Sequence, residues 1–169
     1  MRAFSWYQGR AWIVDAPEAW PPSLHWAARG VAQKRLVLPA GARGASAAVA
    51  VQRMCQTASG GSFYARIGGA LTPSTEASLE VTLTVADDPD IDIVVPAVIA
   101  GLEAMPVGDR PAGRLAVDWF VIHPVDLKVW AWRNTAATMA RLLCADVAAL
   151  DDTAAAALAL GYRVGCPVG

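Results

Sequence analysis

The feature that most restricts the fold is a strictly alternating segment near the middle of the chain. Between Leu79 and Val85 every second residue is apolar, and Glu80, Thr82 and Thr84 occupy the positions between them. Successive side chains on a β-strand point to opposite faces, so this pattern predicts a strand with one face buried and the other in solvent. It is the clearest half-buried strand that the sequence contains.

Other segments show weaker strand patterns, bounded by turn residues. Besides residues 79–85, strands are predicted at 3–14 (two short strands around Gln8 and Gly9), 34–39, 46–53, 63–71, 115–123 and 127–132. Each segment is rich in apolar residues, and several adjoin glycine, proline, serine or aspartate, which are typical of turns.

Two helices are predicted between these strands. The first begins near Val94 or Val95, with Asp92 as its cap, because Pro96 belongs in the first turn of a helix. The second runs over residues 135–150 with Asn134 as its cap, and a short alanine-rich helix follows it. This order predicts an α+β fold, with a mainly antiparallel sheet and two helices on one face.

The first 45 residues are expected to differ from the rest of the chain. Residues 40–44 are all alanine, glycine or arginine and predict a flexible joint. We therefore expect an N-terminal β-rich extension over residues 1–45 and a main domain over residues 46–169. The sequence leaves open whether the extension adds strands to the same sheet or forms a separate arm.

Composition excludes several classes of function. The chain has 14 Lys and Arg against 15 Asp and Glu, so no overall basic field attracts nucleic acid. Only two histidines and three widely spaced cysteines are present, which argues against a metal site and a disulfide framework. No apolar run is long enough to span a membrane. We expect a cytoplasmic protein without cofactor or metal.

Three segments, in order, resemble domain IV of elongation factor G. Residues 59–67 read Ser-Gly-Gly-Ser-Phe-Tyr-Ala-Arg-Ile, similar to a loop and strand of that family. Residues 95–105 contain Val-Pro-Ala-Val and end in Glu-Ala-Met, similar to its first helix. Residues 112–121 read Ala-Gly-Arg-Leu-Ala-Val-Asp-Trp-Phe-Val, similar to its following strand.

The resemblance implies a ribosomal protein S5 domain 2-like fold, a four-stranded sheet covered by two helices. It also implies that the loop at residues 59–62 lies at the end of the domain that meets RNA. This sequence departs from the family at two places: the Gly-Gly pair before the first helix is absent, and His123 is displaced from the histidine position of the second tip loop. No phosphate-binding Gly-x-x-x-x-Gly-Lys-Ser/Thr loop is present, so GTP hydrolysis is not expected.

The predicted contact end combines this loop with nearby basic residues and a following hairpin. Glycine backbone N–H groups can face a phosphate, although a tight turn between two strands is the favoured interpretation of the same residues. The candidate macromolecule-contact residues are Arg53, Ser59, Gly60, Gly61, Ser62, Arg66, His123 and Lys128. The hypothesis is a non-catalytic binding module whose partner is a protein or the ribosome and its RNA.

Two other hypotheses stay open. The first is a protein–protein interaction subunit that uses the Trp-rich N-terminal region. A homo-oligomer is one form of this hypothesis. The second, ranked last, is a small enzyme on the same fold. His123 with Asp126 across a turn suggests a general base, but a surface hairpin is the favoured interpretation, and Asp118 is expected on the opposite face. The acidic residues at 87–92 are interpreted as the start of a helix rather than a cation site.

Overall fold

The alternating segment forms a strand within a larger sheet in the computed structural model of the chain. The structure describes residues 1–14, 30–45, 47–55, 62–86, 88–146 and 148–160. The strands are β1 (Arg2–Trp6), β2 (Gly9–Val14), β3 (Gly30–Pro39), β4 (Ala42–Arg43), β5 (Ala47–Cys55), β6 (Phe63–Pro73), β7 (Ser78–Ala86) and β8 (Pro111–Val121). The helices are α1 (Ile91–Glu103), α2 (Val129–Leu142) and α3 (Asp152–Leu160).

The described strands form one eight-stranded sheet in the order β1-β2-β5-β6-β8-β7-β3, with β4 paired to β8. Most neighbours are antiparallel, and the exceptions are β7 with β8 and β4 with β8. The predicted α+β class with a mainly antiparallel sheet is confirmed. Strands β1, β2 and β3 come from the first 45 residues, and they lie on both sides of the later strands in this same sheet.

One face of the sheet is covered by helices, as predicted, although a third helix joins the two that define the predicted class. Leu79, Val81 and Leu83 of β7 are fully buried on this face and belong to the same cluster as residues of all three helices. Helix α1 packs on α2, α2 lies over β5 and β6, and α3 lies beside β1. A single apolar core therefore runs between the sheet and the helices, as expected for a two-layer domain.

Helix α1 begins earlier than predicted, at Ile91 instead of Val94 or Val95, with Asp90 as its cap residue. Pro96 lies inside the helix and faces solvent, between buried valines. A proline in this position lacks the N–H that would bond to the Asp92 carbonyl. Because that part of the helix is exposed, water can bond to the carbonyl, and apolar burial of the opposite side outweighs the loss.

The strand predicted at residues 127–132 is wrong, because α2 already begins at Val129. Short apolar runs do not distinguish a strand from a buried helix. Asn134, predicted as a cap, is 2% exposed and lies inside the helix. The buried residues Trp132, Ala136 and Met139 repeat at helical spacing, so the periodicity starts before the asparagine rather than after it.

A buried arginine connects the end of α1 to the end of β3. Arg110 is 7% exposed, and its Nε donates to the Leu102 carbonyl at 3.0 Å. Its two terminal nitrogens donate to the carbonyls of Pro39 at 3.0 Å and Glu103 at 2.5 Å. A cation at a helix C-terminus bonds carbonyls that the helix itself leaves without partners. Arg110 thus fixes α1 against the outer part of the sheet.

The two outer strands of the sheet have different surroundings. At β1, Asp152 Oδ1 of α3 accepts a hydrogen bond from the Ser5 backbone N–H at 3.1 Å, and an Arg2 terminal nitrogen donates to the Leu150 carbonyl at 3.0 Å. At β3, the only pairing within the described ranges is with β7. The outer edge of β1 is therefore covered by the α3 region. At the outer edge of β3, no described element lies beyond the strand, and several of its side chains are exposed.

Candidate functional site

A polar cluster, formed by Ser62, His123 and Asp126, lies where β6 begins and β8 ends. Ser62 immediately precedes β6, and a short 3-10 turn at Pro124–Asp126 follows β8. The Ser62 hydroxyl donates to Asp126 Oδ1, and Asp126 Oδ2 lies 3.2 Å from His123 Nδ1. The backbone N–H of Asp126 also donates to the His123 carbonyl at 3.1 Å, which closes the turn. The cluster joins positions 64 residues apart.

The surroundings of the polar cluster hold it in place and leave its histidine accessible. Phe63 packs edge-on against Trp130 of α2, with ring centroids 4.6 Å apart, which anchors the start of β6 to the helix. The His123 side chain is 54% exposed, whereas that of Asp126 is 20% exposed. The Tyr64 ring lies 6.1 Å from the imidazole. The cluster therefore presents a carboxylate-bound imidazole at the surface.

The order of groups in the polar cluster does not suit nucleophilic catalysis. In a serine–histidine–aspartate relay the histidine lies between the hydroxyl and the carboxylate and removes the hydroxyl proton. Here Asp126 lies in the middle, and the Ser62 hydroxyl donates to the carboxylate instead of to His123. This arrangement orients the histidine and fixes the start of β6 against the turn that follows β8.

A second feature is the tryptophan row, formed by Trp12, Ala50, Gly68 and Trp119, on the sheet face opposite the described helices. These residues pair with one another across β2, β5, β6 and β8. Because the two middle residues are small, space remains between the indoles, and Arg66 occupies it. Its guanidinium carbon lies 5.3 Å from the Trp12 ring and 4.6 Å from the Trp119 ring.

The contacts of the tryptophan row explain why Gly68 belongs to it and why Arg66 lies against it. A methyl group at Gly68 would lie 2.6 Å from the Trp119 ring, so a larger residue would displace the indole. The Nε of Arg66 is buried and makes no hydrogen bond. Attraction between a cation and two aromatic faces offsets part of the cost of removing that nitrogen from water. Sequence reasoning did not identify this arrangement.

Trp119 reaches this face because β8 contains a bulge. Gly68 pairs with Trp119 and Gly69 pairs with Val117, so Asp118 has no partner on β6. An unpaired residue reverses the alternation of side chains beyond it. Val117 therefore faces the helices while Trp119 faces away from them. Alternation without the bulge would have placed Trp119 in the main core.

The structure separates the basic residues predicted at the contact end. Arg66 pairs with Gln52, whereas the next residue of β5, Arg53, pairs with Ala65. Because neighbouring residues on a strand face opposite sides, Arg53 and Arg66 lie on opposite faces of the sheet. Arg53 is 7% exposed on the helix side. The predicted contact residues therefore do not all converge on one surface.

The remaining predicted contact residues divide into two groups. Lys128 is exposed, directly before α2, and lies two positions after the Asp126 of the polar cluster. Ser62 and His123 belong to the cluster itself. Ser59, Gly60 and Gly61 lie outside the described residues. Ser62, His123 and Lys128 are thus the predicted residues on which a contact end can be argued.

A shallow cleft lies at the opposite end of the sheet, where β6 ends and β8 begins. Its volume is about 1080 Å³, and residues 40–45, 73–77 and 144–146 with Ala112 line it. Burial, and secondly the negative charge of Asp109, raise the pKa of the Cys144 thiol in this cleft to about 11. A thiol that keeps its proton at neutral pH is a poor nucleophile or metal ligand. Cys144 therefore does not provide this cleft with a reactive thiol.

The described residues offer neither a group of metal ligands nor a membrane-spanning helix. Across the described ranges, no three residues among histidine, cysteine, aspartate and glutamate form a group that could hold a metal ion. In the acidic segment before α1, Asp88 Oδ1 accepts a hydrogen bond from the Asp90 backbone N–H at 2.9 Å, in keeping with a helix start. No helix in the described part of the chain has the length and hydropathy needed to cross a bilayer.

Comparisons of the chain with protein-family models, with curated proteins and with solved structures gave no match. The resemblance to domain IV of elongation factor G therefore depends on the three sequence segments alone. The structural features that bear on function are the polar cluster, the tryptophan row and the edges of the sheet.

Proposed function

We propose that this chain is a non-catalytic macromolecule-binding module that resembles a stand-alone domain IV of elongation factor G and lacks GTPase activity. The observation that carries the proposal is the polar cluster. It brings Ser62, in the segment that resembles the family's contact loop, against His123 and Asp126 of the following turn. Two segments expected to form one contact end are thereby in direct contact.

The arrangement of residues 47–142 supports this proposal. Strands β5, β6, β8 and β7 are adjacent in the sheet, and α1 and α2 belong to the layer that covers it. Such a unit of four strands and two helices is what an S5 domain 2-like fold requires. The three resembling segments fall at the start of β6, on α1 and on β8. The flanking strands β1, β2 and β3 would then be additions to that unit.

The experiment is a titration of the fluorescently labelled full chain with purified ribosomes and with structured RNA at low and moderate salt. Binding is expected to weaken steeply as salt increases, because contacts to phosphates release counterions. Lys128→Glu is expected to weaken binding about tenfold and to reduce the slope against log salt by about 1. His123→Ala should weaken binding less.

Arg114→Glu is the matched control for this titration, since the Arg114 side chain is 81% exposed near the start of β8, away from the polar cluster. It should leave the affinity within about twofold of the unmodified chain, because a distant surface charge is largely screened. Absence of binding to ribosomes and RNA at low salt would remove the RNA-contact form of the proposal. Equal losses in Lys128→Glu and Arg114→Glu would remove the polar cluster as the contact end.

A protein–protein interaction subunit is the second candidate, and the tryptophan row favours it. Tryptophan and arginine carry a large share of binding energy in protein interfaces. Trp12 and Arg66 are half-buried in the isolated chain and retain surface for a partner. Light scattering together with iodide quenching of tryptophan fluorescence tests this candidate. A monomer whose tryptophans are fully protected from iodide would argue against it.

A further inference from the structure

The outer edge of β3 differs from the other edge of the sheet. Strand β3 is ten residues long, and within the described residues it pairs with β7 alone. A strand in this position presents a row of backbone N–H and C=O groups that another strand can pair with. The edge of β1, by contrast, has its Ser5 N–H bonded to Asp152 of α3.

The side chains of β3 give this edge a definite charge. Lys34 and Arg35 are both exposed, and neither forms an ion pair with any described residue. Because they are consecutive, they point to opposite faces of the sheet. Val37 is 70% exposed beside them. The edge therefore combines a cation on each face with an uncovered apolar side chain.

We infer that the β3 edge binds an extended acidic segment of a partner protein, which adds a strand to the sheet. Backbone hydrogen bonds to β3 would provide affinity, and carboxylates opposite Lys34 and Arg35 would provide selectivity. An apolar residue of the partner would cover Val37.

Charge also distinguishes this occupant from a second copy of the chain. A second β3 would bring its own Lys34 and Arg35 to the same edge and no carboxylate to match them. Cationic side chains on an edge strand also oppose indiscriminate pairing between sheets. An acidic segment is the partner that removes this repulsion.

This surface is distinct from the proposed contact end. The polar cluster belongs to the end of β6 and β8, whereas β3 is separated from β8 by β7. Binding at the β3 edge does not depend on binding of ribosomes or RNA, and a failure of either proposal leaves the other intact.

The test is a titration of the isotope-labelled full chain, followed by amide NMR, with a synthetic ten-residue peptide of alternating Glu-Glu and Val-Val pairs, which places both residue types on each face of a strand. Saturable shifts are expected at residues 34–39 and not at β1. The same peptide with lysine in place of glutamate should cause no such shifts. The double variant Lys34→Glu with Arg35→Glu should weaken binding of the acidic peptide at least about tenfold, because two attractions become repulsions.

The matched control is the double variant Arg10→Glu with Arg43→Glu, which also reverses two cations at exposed positions outside β3. It should bind the acidic peptide with unchanged affinity. No shifts at residues 34–39 with about 1 mM peptide would overturn the inference, since that excludes even a weak complex. Equal binding of the lysine peptide would also overturn it, as would self-association through residues 34–39 without peptide.

Discussion

The two outer strands of the sheet show how unequally one fold treats its edges. Strand β1 has five residues, and its Ser5 N–H is bonded to Asp152, which lies 147 positions later in the chain. Strand β3 has ten residues and a Lys34-Arg35 pair, and no described element lies beyond it. One edge is protected by a distant part of the same chain, and the other by charge. Protection by charge can be reversed by an oppositely charged partner, whereas protection of β1 is lost only when the Asp152 side chain leaves the Ser5 N–H.

Replacement of Arg110 by methionine should give the largest loss of stability, and the loss should be greatest around β3. Arg110→Met removes three hydrogen bonds to carbonyls of Leu102, Glu103 and Pro39 and leaves buried acceptors without a donor. We expect the free energy of unfolding to fall by about 3 kcal/mol. Urea denaturation measures this loss, and hydrogen exchange should accelerate more in β3 than in β1.

Arg114→Met is the control for this comparison, because its side chain is 81% exposed and makes only a 3.8 Å contact with Glu80. Its effect should stay within about 0.5 kcal/mol, as is usual for exposed ion pairs. Equal losses for the two variants would show that the Arg110 bonds contribute no more than a surface charge does.

Replacement of Asp152 by alanine should open the protected edge at smaller cost. Asp152→Ala removes the acceptor of the Ser5 N–H, and we expect a loss of about 1 kcal/mol in the free energy of unfolding. The Ser5 amide should exchange faster, while amides of β3 keep their rates. The control is Asp151→Ala, which removes a 2.7 Å bond to the Ala154 N–H within the helix start. If Asp151→Ala exposed Ser5 as much as Asp152→Ala does, general fraying of α3 would explain the result.

The smallest effect concerns Cys144, next to the Asp109–Arg110 corner that anchors the β3 side. Burial, with a contribution from Asp109, raises the pKa of its thiol from 9.0 to about 11. A pKa raised in the folded state adds stability that is complete below about pH 9 and is lost as pH rises through about 11. The free energy of unfolding should therefore decline over that interval, and Cys144→Ala should decline less. Identical declines would mean that this thiol does not contribute.

Much of the sheet follows from local sequence patterns. The alternation at residues 79–85 and the hairpin around Gln8, which has a positive φ of 61°, are properties of neighbouring residues and were predicted correctly. The start of α2 was not, because the run before Asn134 is apolar in a way that suits a strand or a helix. Only packing of Trp132 against the sheet decides between them.

The polar cluster and the tryptophan row depend on the alignment of distant strands more than the individual strands do. The contact of His123 with Asp126 was predicted, since the two residues lie three positions apart across a proline turn. The separation of Arg53 from Arg66 was not, because it depends on how β5 and β6 align. The pairing of Trp12 with Trp119 around Arg66 requires four strands in register. No local pattern in the sequence encodes that alignment.

The bulge at Asp118 has a consequence for how this chain tolerates insertions and deletions. Alternate residues of a strand face opposite sides of the sheet. One residue added to or removed from a regular strand therefore exchanges the side chains that face the core with those that face solvent. Asp118 is the extra residue of the bulge, so its deletion would keep Val117 opposite Gly69 and Trp119 opposite Gly68, and Trp119 would still face away from the helices. Loss of a paired residue such as Ala116 would instead exchange inside and outside along part of β8.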